Sequence, residues 1–172
     1  MSFQYFDWKM SSFFYVGMSK LYSLLMQKET PNAEVKDLLY DFGMVCTDVP
    51  YIMIPSIKEL PYNDWADEHG DDVYIPDSLK IKSYDWEIGI CYKGDMNTAN
   101  TALELLLNYL TGLDGSGVKI KIYNPHIAIG RQGCYFTGTS NYSLSRTRYG
   151  DIAEFKIRFK VTDPVTKISL SK

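Results

Sequence analysis

Long hydrophobic runs are missing from this 172-residue sequence. Its apolar stretches fall well short of the roughly 18 residues a membrane-spanning helix needs. The opening MSFQYFDWKM places Asp7 before Lys9 and lacks the apolar core of about 7–15 residues that marks a secretory signal. Both absences predict a product made in the cytoplasm, soluble and not inserted in a membrane. Cysteine is scarce as well. Cys46, Cys91 and Cys134 are odd in number, far apart and without a C-x-x-C pair, which argues against a disulfide framework or a structural zinc site. Basic charge is not in excess: 18 lysines and arginines face 21 acidic residues, for a net charge of −3, so nucleic acid is not an expected partner.

Catalytic signatures are missing too. The two histidines, His69 and His126, have no G-x-S-x-G or other nucleophile context. The glycines of 114–117 do not match G-x-x-x-x-G-K-[ST], and they follow a helical pattern instead of leading into one. Asp41–Phe42–Gly43 matches the magnesium-binding triplet of protein kinases in letters only, since neither a glycine-rich nucleotide loop nor an H-R-D segment accompanies it. It reads as a turn entering a strand. The sequence therefore nominates no catalytic residue, no metal ligand and no cofactor-binding residue, and the expectation is a protein that is not an enzyme and uses no cofactor.

What is present is aromatic and β-like. Aromatic residues make up 15% of the chain, including 14 tyrosines, a composition that suits pleated surfaces and protein interfaces. Residues 96–110, MNTANTALELLLNYL, form the one strong amphipathic helix pattern: Ala99, Ala102, Leu103, Leu106, Leu107 and Leu110 recur at three-and-four spacing. Asp95, Asn97 and Thr98 offer capping oxygens at its start, and Gly112 suits the left-handed position at its end. Before it, Tyr84, Trp86, Ile88, Ile90 and Tyr92 alternate with small or polar residues, as a strand with one buried face does. After it, 118–123 (VKIKIY) alternates, and so do Ala153, Phe155, Ile157, Phe159 and Val161.

Other segments are read more coarsely. Residues 13–18 and 21–26 are expected as two strands or one helix broken at Gly17, residues 33–40 as two helical turns, and 49–54 as an apolar strand ending at Pro55. Residues 133–137 and 141–144 are expected as the arms of a hairpin around 138–140. Gly130–Gly133 (GRQG) resembles a KH clamp loop only superficially. Asp64, Asp67, Glu68, Asp71 and Asp72 surround His69 without the spacing of an EF-hand, so an exposed acidic loop is the expectation and a cation site the minor reading. Trp65 within it either pins the loop to the core or meets a partner. Arg146, Arg148 and Tyr149 form a small basic cluster for which an ordinary solvated turn is the expectation and contact with an acidic partner surface the minor reading.

Together these elements predict a single domain over 1–172, with 1–42 an N-terminal arm or extension and 43–164 the β core. The expected fold is mainly β (α+β), an antiparallel β-sandwich or barrel with one packed amphipathic helix. The order of features from Gly43 to Pro164 resembles the N-terminal domain of phage distal-tail proteins and the related tail-tube fold. The features that carry the resemblance are the irregular loop 64–72, the strand 84–92, the leucine-rich helix, VKIKIY, the glycine- and tyrosine-rich segment 134–142 and the closing FKVTDP. The resemblance implies a structural subunit of a phage or prophage tail, assembling as a homo-oligomeric ring, commonly a hexamer, at the tube–baseplate junction with other tail or baseplate proteins. It implies residence in the bacterial cytoplasm when made and in the virion tail when assembled. Longer members carry a second domain after the Asp-Pro, and this sequence is expected to lack it. The alternatives read from the residues are a ligand- or metal-binding β domain with hydrolytic activity centred on His69, and a domain that binds a host surface through tyrosines.

Overall fold

A computed structural model of the chain describes residues 23–50, 55–67, 69–148 and 150–172. The elements run β1 (Leu25–Lys28), β2 (Val35–Asp37), α1 (Leu38–Phe42), β3 (Val45–Asp48), β4 (Tyr62–Asp64), β5 (Asp71–Val73) and β6 (Tyr84–Gly94). They continue with α2 (Met96–Thr111), β7 (Ile120–Asn124), β8 (Ile129–Thr147) and β9 (Gly150–Val161). The fold is mainly β: seven strands form one antiparallel sheet in the order β2-β1-β7-β8-β9-β6-β3, and β4 and β5 pair separately.

Alternation decides which side of the large sheet is buried. Trp86, Ile88, Ile90 and Tyr92 of β6 lie on the same face as Phe155, Ile157, Phe159 and Val161 of β9, and all are buried. The intervening positions carry charge. Lys160 lies 3.1 Å from Asp85, while Lys156 and Arg158 flank Glu87 at 4.0 and 3.9 Å, an ion-paired outer face in water. Exposed pairs of this kind contribute at most about 1 kcal/mol each and serve mainly to keep the face polar.

The sheet must curl. Its outermost strands, β2 and β3, are six places apart, roughly 29 Å in a flat sheet. The connection through α1 spans no more than about 20 Å, since its five helical residues rise only 1.5 Å each. β2 and β3 do not pair, so the curl stops short of a closed barrel, and no second layer of sheet makes a sandwich among the described residues. The space inside is filled by α1 and α2. Leu38 and Phe42 of α1 and Ala99, Leu106, Tyr109 and Leu110 of α2 join the same core as Ile120, Ile122 and Met26, with the Phe42 and Tyr109 rings 5.6 Å apart.

Helix α2 forms where its apolar periodicity predicts. Asp95 sits at its N-cap with its carbonyl accepting the Ala99 N–H at 2.9 Å, although no side-chain cap bond forms there. Gly112, at φ 75°, ends it, and a Cβ at that position would meet the Gly117 carbonyl oxygen at 2.7 Å. Burial extends to Tyr109, which the leucine pattern alone does not include, while Leu105 points to solvent.

Three expectations need correction. Residues 25–42 are no arm: β1 pairs with β7, β2 with β1, and α1 packs in the core. The helix expected at 33–40 starts only at Leu38, because Val35 and Lys36 pair with Gln27 and Met26 and Asp37 caps the helix through Leu39 N–H at 2.8 Å. Residues 133–137 and 141–144 are not two arms. They belong to the single strand β8, which absorbs its extra residues as bulges at Gly138 and near Asn141 (φ 56°) and pairs throughout with β9. A strand that the sequence reading did not include lies at Val45–Asp48. Of the strand expected at 49–54, residues 51–54, like 13–18 and the first two residues of 21–26, lie outside the described residues.

Leu106→Ala should lower stability by roughly 2–5 kcal/mol, while Leu105→Ala, more than half exposed, should stay within about 0.5 kcal/mol. Urea unfolding of the two variants side by side measures the contrast.

Candidate functional site

Between Pro55 and Tyr84 none of the described residues is buried. The segment leaves the sheet just before β6 and is closed at its base by an Ile57–Ile81 bridge, with Lys58 N–H on Lys80 O at 2.7 Å and Lys82 N–H on Ser56 O at 2.8 Å. Further out β4 and β5 pair as a two-stranded ribbon, Tyr62 opposite Val73 and Asp64 opposite Asp71. An isolated ribbon of two short strands is marginal in water. This one also exposes Trp65, Tyr62, Tyr74 and Ile75, between half and three quarters of each in solvent. Of the two readings of Trp65, the core-pinning one is excluded for the described residues. It stands on an arm, and from Glu59 to Asp77 that arm has seven acidic residues and no lysine or arginine.

The opposite charge collects elsewhere. No acidic residue occurs from Gly115 to Gly150, a stretch holding Lys119, Lys121, Arg131, Arg146 and Arg148. This stretch contains all of β8, and β8 is unequally supported. Along one side it pairs with β9 from Cys134 to Thr147; along the other, β7 covers only 129–134. Among the described residues no strand lies against the outer edge of 135–147. Tyr142 stacks on Phe155 at 6.2 Å, and Tyr142 and Leu144 are themselves 68% and 51% exposed. Beside them a groove of about 290 Å³ runs to Met96, Leu103 and Met44, lined mainly by carbon. The basic turn expected at 146–149 lies at the tip of this hairpin, where Thr147 pairs with Gly150; Tyr149 lies outside the described residues.

A second, polar crevice of about 640 Å³ lies at the other end of β1 and is lined by Lys28, Glu29, Lys121, Gln132 and Asp163 among others. Lys28, Glu29 and Asp163 are already engaged in holding the fold. The Lys28 ammonium, on a residue 2% exposed, donates to the carbonyls of Tyr109 and Gly117, the latter at 2.5 Å, and lies 4.5 Å from the Tyr109 ring centre. Burial pushes its pKa below the ordinary lysine value, with Asp114 pulling the other way. Glu29 accepts the Gly133 N–H at 2.6 Å. Asp163 accepts from Gln132 Nε2 at 2.8 Å and from Thr166 and Val165 N–H, bonds that hold its carboxyl at about 2.

The remaining candidates are placed in structural roles. Asp41 of the Asp-Phe-Gly triplet accepts the Asp37 N–H at 2.6 Å and the Lys172 ammonium, Phe42 packs on Tyr109, and Gly43 closes α1 in the left-handed region at φ 67°. Gly130 lies within β8, where a Cβ would strike the Ile168 carbonyl at 2.4 Å, so GRQG is strand and not a clamp loop. The His126 N–H is held by Asn124 Oδ1 at 2.9 Å in the turn before β8. Among the described residues no three His, Cys, Asp or Glu side chains converge as a metal site; Glu68 of the acidic run around His69 lies outside the described residues. Burial raises the Cys46 and Cys134 thiols to about 12 and the Cys91 thiol less far, so none is a ready thiolate. No helix among the described residues is long and apolar enough to cross a membrane. No protein-family model matches the chain, and a search of curated proteins finds no match either.

Sequence reasoning singled out Trp65, the acidic run and Arg146, but not the groove, because Tyr142 and Phe155 meet through the pairing of β8 with β9 and Leu103 is brought to them by the packing of α2. Asp163 offers a check on the crevice. Its folded pKa of about 2 lies below its ordinary value of 3.8, so its contribution to stability is complete above 3.8 and is lost as pH falls through about 2. Asp163→Asn should therefore be less stable than the parent at pH 6, and the gap should close as pH approaches 2 in urea-unfolding curves taken across that range.

Proposed function

We propose that this protein is a structural subunit of a phage or prophage tail, of distal-tail or tail-tube type, assembling into rings at the tube–baseplate junction with other tail or baseplate proteins. The observation that carries the reading is the order of elements: a projecting loop region, a long strand at Tyr84–Gly94, one packed helix at Met96–Thr111, a short strand, then the long β8–β9 hairpin closing on Asp163–Pro164. The same order carries the resemblance in sequence. An aromatic arm outside the core and a strand edge left open among the described residues support assembly as the role, since both are surfaces whose energetic value is realised against a partner. Function then resides in contacts between subunits, and the buried helix serves by fixing the strands that carry those contacts.

On this reading the purified chain, alone or mixed with the products of adjacent genes, gives ring-shaped particles in negative-stain electron microscopy as concentration rises. A protein that remains monomeric by light scattering in all of these mixtures sinks the proposal.

A further inference from the structure

The acidic arm and the basic strand edge sit at opposite ends of one sheet. The arm leaves at Tyr84, opposite Val161 and level with Cys134; the hairpin tip lies at the far end, where Gly94 faces Asp151 and Arg146 faces Asp151 across β9. Eleven residues of extended strand separate the two levels, roughly 35 Å. A surface at each end, opposite in charge and each exposing aromatic or aliphatic side chains, is the arrangement that a head-to-tail contact between identical chains requires.

We infer that the arm of one copy, residues 56–82, docks on the outer edge of β8 and the adjoining groove of a second copy. This goes beyond the ring reading by naming the two surfaces that meet, and rests on it only for the closure of the contact into a ring. Three observations select a second copy as the occupant. The first is charge: from Glu59 to Asp77 the outer part of the arm has seven acidic residues and no basic one, with Lys58, Lys80 and Lys82 confined to its base, against Arg146 and Arg148 at the hairpin tip, where Asp151 and Glu154 of β9 are the acidic neighbours. Second is shape, because the groove beside Tyr142 and Leu144, about 290 Å³ and mainly carbon-lined, takes a large aromatic side chain, and the arm presents Trp65, Tyr62 and Tyr74 uncovered. Third is backbone: the ribbon β4–β5 has free outer edges among the described residues, and so does β8 above Cys134. The bulges at Gly138 and Asn141 break that edge into short stretches, so it accepts a short ribbon and resists indiscriminate strand addition.

The contact is heterologous, which makes it testable by mixing. Leu144→Glu places a negative charge at the groove and leaves the arm intact; Asp71→Lys with Asp72→Lys reverses charge on the arm and leaves the edge intact. All three positions are exposed, and circular dichroism verifies that each variant keeps the parental spectrum; Arg146→Glu replaces Leu144→Glu should that one misfold. Sedimentation velocity of the full chain should show concentration-dependent association that weakens with salt. Each variant alone should associate at least about tenfold more weakly. An equimolar mixture should form a heterodimer and stop there, since it retains one intact arm facing one intact edge. Variants that assemble like the parent, or a mixture that stays monomeric while the parent assembles, overturn the contact. So does a monomeric parent in which Leu144→Glu lowers the melting temperature, the outcome expected if the chain's own residues 1–22 cover the edge. Parental rings that survive both variants remove this contact and leave the ring reading standing, whereas parental head-to-tail chains that never close or join a tail protein keep the contact and remove the ring.

Discussion

One buried ammonium ties the helix to the sheet. Lys28 ends β1, and its Nζ reaches the carbonyl of Tyr109, in the last turn of α2, and that of Gly117 beyond the helix. The Tyr109 carbonyl belongs to the last turn of the helix, where the dipole is negative and the Gly112 N–H is its backbone donor, so a cation there adds a second hydrogen bond and a favourable charge together. Removing a cation from water is costly. It is tolerable because nothing else fits: the left-handed turn at Gly112 and the loop to Gly117 wrap the same point, the Tyr109 ring flanks it, and Asp114 lies near enough to oppose the loss of charge. The position of α2, and with it the filling of the curled sheet, follows from that anchor.

Legibility in the sequence tracked how local the determining forces are. β6, β9 and α2 were readable because one-sided burial imposes a period of two or of 3.6 on their own residues, and the structure places their ends within three residues of those patterns. β1, β2 and α1 were not. β2 is three residues long, and its strand character derives from pairing with β1, while Lys28 looks like an ordinary surface lysine until carbonyls 81 and 89 residues away are brought to it. β8 misled through its composition: Gly138 and Asn141 are turn residues by type, and here they supply bulges because β9 offers a continuous template. The exposed arm was legible as acidic and aromatic, but that the core leaves Trp65 uncovered is a fact of three dimensions.

Charge is segregated along the chain more sharply than a net value of −3 suggests. The outer face of the β6–β9 pair neutralises itself through Asp85, Glu87 and their basic neighbours, whereas the outer part of the arm, from Glu59 to Asp77, has seven acidic residues and no lysine or arginine. A surface that neutralises itself gains little from a partner. One that keeps its signs apart is attracted over distances of a Debye length and oriented before contact, which favours a defined approach over random sticking.

The support of the β8–β9 hairpin changes along its length. β9 is flanked by β6 and β8 along its length, whereas β8 has β7 on one side from Ile129 to Cys134 and β9 on the other from Cys134 to Thr147. Beyond Cys134 the ladder to β9 is interrupted by the bulges at Gly138 and near Asn141, while β9 is itself held by β6 as far as Gly94 opposite Asp151. The hairpin is therefore a braced edge: its inner strand is gripped on both sides up to the tip, and its outer strand is held from one side, through a ladder with two gaps. Register along that outer strand is fixed in three short blocks, so a residue gained or lost in one block would be absorbed at the nearest bulge without shifting the side chains that β9 sends into the core.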